Sequence, residues 1–300
     1  MHAGLKISAF AAALAATFGT AYGVGKGIDP VVTESVPAAH DSHEGGGEGA
    51  GHEESPAGGL QISEGGYTLD LRTPTVTAGQ RAELRFAIRD AAGRAVTAYQ
   101  REHDKELHLI VASRDLVTYR HLHPTRAADG TWSIPVSLPR AGGYRVFADF
   151  TPAKKGAENL VLGADLAASG AYAPQKLPAR SGTATVDGYK VELTGGLTPN
   201  TATELKLKVT RAGRPVTDLQ PYLGAYGHLV ALRSGDLAYL HVHPNAGTGS
   251  GPGISFTATA PSEGTYRLFL DFKHEGQVRT AAFTVTTGAG HGEAEGGHGH

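Results

Sequence analysis

An internal repeat with an offset of 120 residues is the strongest constraint on how this chain folds. Each copy has one histidine and, 13 residues later, the motif His-x-His-Pro. The repeated histidines are His108, His121 and His123 in the first copy and His228, His241 and His243 in the second. The flanks match too, because Ala-Gly-Arg-Ala-Val-Thr at 92–97 corresponds to Ala-Gly-Arg-Pro-Val-Thr at 212–217. This matched spacing predicts two copies of one domain.

Strand patterns run through both copies. Leu84, Phe86 and Ile88 alternate with polar residues, which is typical of a strand with one buried face. Short strands at this spacing, without a helical period, predict an all-β chain with two tandem immunoglobulin-like β-sandwich domains. Tyr144 and Tyr266 each lie near the start of a late strand, one and two residues after a glycine, where we expect a tyrosine corner.

The predicted organisation has five parts. They are a signal peptide or membrane anchor at 1–28, a linker at 29–59, sandwich domains at 60–174 and 181–287, and a His-rich tail at 288–300. Lys6 precedes an apolar run that is just long enough to cross a bilayer, so cleavage and retention both stay open. Either outcome places the domains outside the cytoplasm, membrane-anchored or secreted. The linker has no apolar periodicity, and we expect it to be disordered.

Composition limits the chemistry that this chain can perform. There is no Cys and the only Met is Met1, so thiolate and thioether metal ligands are excluded. The formal net charge of −2 gives no strong attraction to nucleic acid or to anionic lipid. No nucleophile elbow, phosphate loop or His-Glu-x-x-His motif is present. We therefore predict no catalytic residues and no enzymatic activity.

The histidines of the second copy lie on a predicted hairpin. Ser234-Gly235 is a two-residue turn signal, and a turn centred there places His228 opposite His241. His243 is two residues further along and therefore points to the same face. We predict that these three side chains bind one divalent ion, and that His108, His121 and His123 bind another.

Other interpretations of the same residues stay open. Cross-strand histidines can stack as architecture, and the face that carries them, which includes Ile110 and Tyr119, could be the core face of the sandwich. His103 is either a fourth ligand or a surface residue. Asp149 and Asp271 are candidates for orienting a histidine N–H group, although a solvent-facing carboxylate is the default expectation.

The motif Gly-Ala-Tyr-Gly-His with Leu-His-Val-His-Pro, residues 224–228 and 240–244, resembles one in bacterial exported tandem β-sandwich proteins. Some of those proteins are linked to heavy-metal or copper handling, so the resemblance implies a similar role here. The first copy departs from the motif, with Glu106-Leu107 where the second has Tyr226-Gly227. Unlike periplasmic copper-resistance sandwich proteins, this chain lacks Met clusters, which leaves Cu(II) or Zn(II) as the expected ion.

The sequence thus favours an exported, non-enzymatic protein that buffers or delivers a divalent transition-metal ion. Its expected partners are the ion itself and an envelope metal-handling protein, with membrane contact through the N-terminal segment if that segment is retained. The alternative is a structural or protein-interaction module of the cell envelope in which the histidines are architectural.

Overall fold

The computed structural model of the protein describes residues 57–240, 242–245, 247 and 249–288. Every regular element in these ranges is a β-strand. Within them the chain forms no helix that is long and apolar enough to cross a membrane. The predicted signal or anchor segment, nearly all of the predicted linker and the tail beyond Gly288 lie outside the described residues.

The first domain is a sandwich of two five-stranded sheets. Its strands are β1 (Ser63–Glu64), β2 (Tyr67–Leu71), β3 (Thr75–Thr77), β4 (Arg81–Arg89), β5 (His108–Ser113), β6 (Tyr119–Leu122), β7 (Thr125–Arg126), β8 (Trp132–Ser137), β9 (Gly142–Phe150) and β10 (Leu160–Ser169). One sheet has the order β1-β2-β4-β8-β7 and the other has the order β3-β10-β9-β5-β6. Leu84, Phe86 and Ile88 are fully buried between the two sheets, which confirms the predicted alternation.

The second domain repeats this plan. Its strands are β11 (Thr183–Val186), β12 (Tyr189–Thr194), β13 (Ala202–Arg211), β14 (Arg214–Pro215), β15 (His228–Arg233), β16 (Tyr239–Leu240), β17 (Val242–Pro244), β18 (Gly253–Thr259), β19 (Thr265–His274) and β20 (Gln277–Thr286). The sheets are β11-β12-β13-β18-β17, with β14 beside β13, and β16-β15-β19-β20. Two sandwiches with equivalent strand orders and separate cores confirm the predicted fold class.

A tyrosine corner closes each sandwich, as the sequence predicted. The hydroxyl of Tyr144 donates a hydrogen bond of 2.8 Å to the carbonyl oxygen of Arg140. The hydroxyl of Tyr266 donates one of 2.8 Å to the carbonyl oxygen of Ser262. Both rings are buried, so each hydroxyl is satisfied by backbone four residues upstream.

The register of the histidine hairpins differs from the prediction by two residues. Leu232 pairs with Tyr239, and the N–H group of Arg233 donates to the carbonyl of Ala238. The loop therefore has the four residues 234–237 instead of a two-residue turn at Ser234-Gly235. The two-residue prediction was wrong because Leu237 takes a left-handed backbone conformation, φ 66°, while its side chain is fully buried. Leu116 does the same in the first domain, with φ 55°. Bulky apolar residues rarely adopt this conformation, so turn patterns do not anticipate it.

A third apolar cluster lies between the two domains and forms the domain interface. Its members are Ile110, Ala112, Leu116, Tyr119, Phe147, Val161, Val230, Leu232, Leu237 and Phe269. Tyr119 stacks on Phe269 at 4.1 Å between ring centres, and Tyr239 packs on Phe147 at 5.8 Å. Because these are equivalent positions in the repeat, each domain presents the same surface to the other. The face that carries the histidines is therefore the domain interface, and not the core face of either sandwich.

The last residues of the predicted linker, Gly58 and Gly59, also run along this interface. The N–H group of Gly59 donates to the carbonyl of Val161, and that of Tyr239 donates to the carbonyl of Gly58. The guanidinium of Arg145 donates to the carbonyl oxygens of Gly59 and Leu60, at 2.7 and 2.8 Å. Gly59 has φ 75° and a side chain there would collide with the ring of Phe147, so only glycine fits.

Candidate metal centre

Three histidines of the first domain converge at the domain interface. His108 begins β5, His121 lies on β6 opposite Ile110, and His123 follows the end of β6. One ring nitrogen from each lies within 4.8 Å of the others. The shortest approach joins Nδ1 of His108 to Nε2 of His121, at 3.1 Å. Strand alternation explains the convergence, because positions two apart share a face.

The spacing of the three rings suits one metal ion. With metal–nitrogen bonds of about 2.0–2.1 Å, tetrahedral ligand nitrogens lie about 3.3 Å apart and their ring centres about 5 Å apart. The ring centres of His108 and His121 are 5.3 Å apart, those of His108 and His123 are 5.2 Å apart, and those of His121 and His123 are 4.8 Å apart. Small ring rotations would therefore bring the three nitrogens to ligand distances.

Hydrogen bonds determine which nitrogens carry protons. Nε2 of His108 lies 3.2 Å from the carbonyl oxygen of Glu102, which only accepts, so this nitrogen donates. Nδ1 of His121 lies 2.9 Å from Oδ2 of Asp271 and donates to that carboxylate. In the neutral rings, the lone pairs of His108 Nδ1 and His121 Nε2 then face each other at 3.1 Å. A cation between them, either a proton or a metal ion, removes this repulsion.

His123 is the member of the cluster that has a buried ring nitrogen without a hydrogen bond. Its Nε2 is buried and has no hydrogen-bond partner. Leaving such an atom unpaired costs about 1–3 kcal/mol. Burial, with His121 and His108 nearby, lowers the pKa of His123 to about 3, so the ring is neutral at physiological pH. Neutral imidazole with a free nitrogen is the form that binds metal.

His228 of the second domain lies beside the same cluster. Its ring centre is 6.1 Å from that of His121 and 6.4 Å from that of His108. Its Nε2 donates to the carbonyl oxygen of Tyr222 at 2.7 Å, repeating the bond from His108 to Glu102. Burial lowers the pKa of His228 to about 4.

Of the second predicted metal site, His228, His241 and His243, the structure describes the side chain of His228 alone. His241 and the side chain of His243 lie outside the described residues. The backbone of His243 pairs with Thr257 of β18, in the sheet that does not carry His228.

The two candidate aspartates have different surroundings. Asp271 is 2% exposed and reaches across the interface to His121, so the expectation of a solvent-facing carboxylate was wrong for this residue. Asp149 is half-buried and accepts hydrogen bonds from Asn159 at 2.8 Å and from the hydroxyl of Tyr239 at 3.2 Å. The strand pairing indicates that both aspartates lie near the histidines, because each aspartate stands opposite a histidine of its own domain.

A cavity of about 270 Å³ opens beside the cluster, between the domains. His108, His121, His228 and Asp149 contribute to its walls. His103 stands at its rim, exposed, with its ring centre 5.0 Å from that of His228. Sequence patterns could not indicate the carbonyls that orient His108 and His228, because main-chain groups have no side-chain signature.

Fold and site together define a two-domain β-sandwich protein with a histidine cluster at the domain interface. The chain belongs to the family described as Domain of unknown function (DUF8832), whose profile matches it twice, at residues 61–159 and 184–289. The double match agrees with the internal repeat. No functionally curated protein matches this sequence.

Several solved structures are similar at low identity. The Escherichia coli adhesin FdeC is 17% identical with a TM-score of 0.24, and the match covers 76% of this chain and 65% of that one. Invasin, a bacterial integrin-binding protein, is 11% identical with a TM-score of 0.22, covering 74% and 39%. A marsupial T cell receptor is 14% identical with a TM-score of 0.23, covering 74% and 99%. Likeness at this level says nothing about what this chain binds.

Proposed function

We propose that this protein is a non-enzymatic metal-binding protein that holds one divalent transition-metal ion, Cu(II) or Zn(II), at His108, His121 and His123. The observation that carries the proposal is the convergence of three histidines whose ring nitrogens lie within 4.8 Å of one another, together with the buried, unpartnered Nε2 of His123. Imidazole is a suitable ligand for both ions, and the sequence offers no thiol or thioether alternative.

The surroundings of the cluster favour a cation. Burial lowers the pKa of both His108 and His123, which favours the neutral form of these two rings, and a neutral ring does not repel a metal ion. Asp271 provides negative charge in contact with His121, where both side chains are nearly buried, at 5% and 3% exposure. An ion bound here would relieve the facing lone pairs and the unpaired nitrogen at the same time.

The role that we propose is buffering or delivery of the ion outside the cytoplasm. The apolar segment near the N-terminus supports export, and the His-rich segments outside the two domains would collect ions with low affinity. An envelope metal-handling protein would be the partner that receives or supplies the ion.

Titration of the full-length protein tests the metal site. Every histidine before residue 57 and after residue 288 is first changed to alanine, so that loose binding by these segments is removed. Calorimetry with Cu(II) and with Zn(II) should show one saturable ion that is lost in His121→Ala. His274→Gln is the matched control, because His274 bonds to Tyr189 and Asp218, away from the cluster. Absence of saturable binding at micromolar protein, or binding untouched by His121→Ala, would contradict the proposal.

A second candidate function is a structural or protein-interaction module with architectural histidines. The observation that favours it is that His108, His121 and His228 already have hydrogen-bond partners in the protein. In that case His121→Ala would lower stability by the same amount with and without metal. In the metal-binding protein, the loss would be larger in the presence of the ion.

A further inference from the structure

The first domain's histidine cluster depends on a carboxylate from the second domain. Asp271 lies on β19 and its Oδ2 is 2.9 Å from Nδ1 of His121 on β6. A second hydrogen bond, from the hydroxyl of Thr280, holds the other carboxylate oxygen in place. Because a carboxylate accepts the Nδ1 proton, Nε2 of His121 is left with its lone pair directed at His108. The second domain therefore selects the tautomer in which Nε2, the nitrogen that faces His108, is free to bind metal.

His228 is positioned to add a nitrogen to the same cluster. Its Nε2 is occupied by the carbonyl of Tyr222, so Nδ1 is the nitrogen that carries a lone pair. The ring borders the cavity that His108 and His121 also line. Its distances of 6.1 and 6.4 Å to those rings exceed the spacing of about 5 Å expected between tetrahedral imidazole ligands by about 1–1.5 Å.

Apolar contacts of the domain interface hold Asp271 and His228 of the second domain next to the histidine cluster. Tyr119, two residues before His121, stacks on Phe269, two residues before Asp271, with an interplanar angle of 6°. Leu177, in the segment that connects the domains, packs against the same apolar cluster. Separation of the domains would therefore withdraw Asp271 and His228 from the histidines and would also release the connecting segment.

We propose that the metal centre is shared: His228 supplies a fourth ligand nitrogen, and Asp271 positions His121, so that the second domain completes the site of the first. This inference rests on the proposed function, because it assigns the remaining ligand of the same ion. An ion that prefers the docked arrangement strengthens docking by the same factor by which docking strengthens its binding. Metal affinity and domain association are then one coupled equilibrium.

The ligand count tests the role of His228. In the full-length background without histidines outside 57–288, the Cu(II)-loaded protein should show four coordinated nitrogens by electron paramagnetic resonance. His228→Ala should show three and should bind more weakly by at least 10-fold. His274→Gln, which changes another buried histidine of the second domain, should keep both the count and the affinity.

The affinity of Asp271→Asn tests the positioning role. We expect a loss of about 10–100-fold with an unchanged nitrogen count, the effect typical of removing a group that orients a ligand. Asp149→Asn is the matched control, because it removes a carboxylate charge next to His108 that is hydrogen-bonded to Asn159 and Tyr239 instead of to a histidine. An equal loss in the two variants would mean that only charge matters and would overturn the positioning role.

Tryptic cleavage after Lys176 reports domain association directly, since its neighbour Leu177 packs into the interface. Saturating metal should slow this cleavage several-fold in the parent protein but not in His228→Ala. If the parent binds an ion, and His228→Ala has the same affinity, nitrogen count and cleavage rate, the shared centre is wrong while the proposed function stands. If the parent binds no ion, both fail together.

Discussion

The two histidine hairpins share one loop geometry but continue differently after it. In the first domain β6 stays beside β5 as far as Leu122, and the crossing strand β7 begins at Thr125. In the second domain β16 ends at Leu240, and Val242 already pairs with β18 of the opposite sheet. Because the chain crosses to the other sheet earlier, His243 pairs with β18 and not with β15, although the sequence motif is the same in both copies. A repeated motif thus reproduces the fold of the hairpin without reproducing the path of the chain beside the histidines.

The residue directly before the first histidine of each copy differs in size, and a residue on the neighbouring strand differs in the opposite direction. Leu107 is buried in the first core, where the neighbouring strand carries the small Ala148. Its counterpart Gly227 has little room for a side chain, because a Cβ there would lie 3.0 Å from Ile254 and 3.3 Å from Leu270. The change of sequence therefore exchanges volume between adjacent strands and leaves the hairpin position unaltered.

The largest expected effect comes from the reciprocal aromatic contacts of the domain interface. Phe269→Ala and Phe147→Ala should each lower the free energy of unfolding by about 3–5 kcal/mol, since both rings are buried. Phe269→Ala should cost about 0.5–1.5 kcal/mol more, because only that ring is closely stacked. Chemical denaturation of the metal-free protein measures both. A larger loss at Phe147 would show that the interface is not ordered as its geometry indicates.

The next effect compares how much a histidine of each hairpin contributes to the stabilisation of the protein by metal. A free ion at 100 times its dissociation constant should stabilise the protein by about 2.7 kcal/mol. His123→Ala should remove this gain, whereas the counterpart His243→Ala should retain most of it, because the backbone of His243 pairs with β18 instead of β15. Thermal unfolding with and without Zn(II) provides the measurement. Equal losses in the two variants would indicate that the two hairpins contribute alike.

A smaller effect follows from the protonation of the histidines. The pKa of His228 is lowered to about 4 in the folded protein by burial, against about 6.5 in the unfolded chain. Between these values the unfolded state takes up a proton that the folded state does not, so stability falls as the pH drops from about 6.5 towards 4. The slope should approach about 1.4 kcal/mol per pH unit for each such histidine. Urea denaturation of metal-free protein at several pH values tests this, and His228→Ala should have a shallower slope.

The smallest effect concerns an ion pair that only the first hairpin has. Arg126 lies 3.1 Å from Glu106, whereas the second domain has Tyr226 at the position of Glu106. Glu106→Gln should cost no more than about 1 kcal/mol, because both side chains are partly exposed to solvent. The loss should shrink in high salt, which urea denaturation with and without sodium chloride would reveal. A salt-independent loss would assign the effect to packing instead.

Several features could be predicted from the sequence because they depend on local pattern. The repeat follows from matched spacing between the two copies, whereas the alternation at Leu84 to Ile88 and the two tyrosine corners follow from spacing within one copy. The hairpin register could not be predicted, because the buried Leu237 holds a conformation that its residue type disfavours. The contact from Asp271 to His121 was also out of reach, since periodicity shows that a face is apolar but not which domain covers it.

The glycine segment at 58–60 has a mechanical consequence. The guanidinium of Arg145 donates hydrogen bonds to two of its carbonyls. Its main chain also forms hydrogen bonds with Val161 of one sandwich and with Tyr239 of the other. A pulling force applied at the N-terminal end of the described chain would therefore load these hydrogen bonds before it reached either core. Tension on the protein would then strain the junction between the sandwiches first, and the histidine cluster lies at this junction.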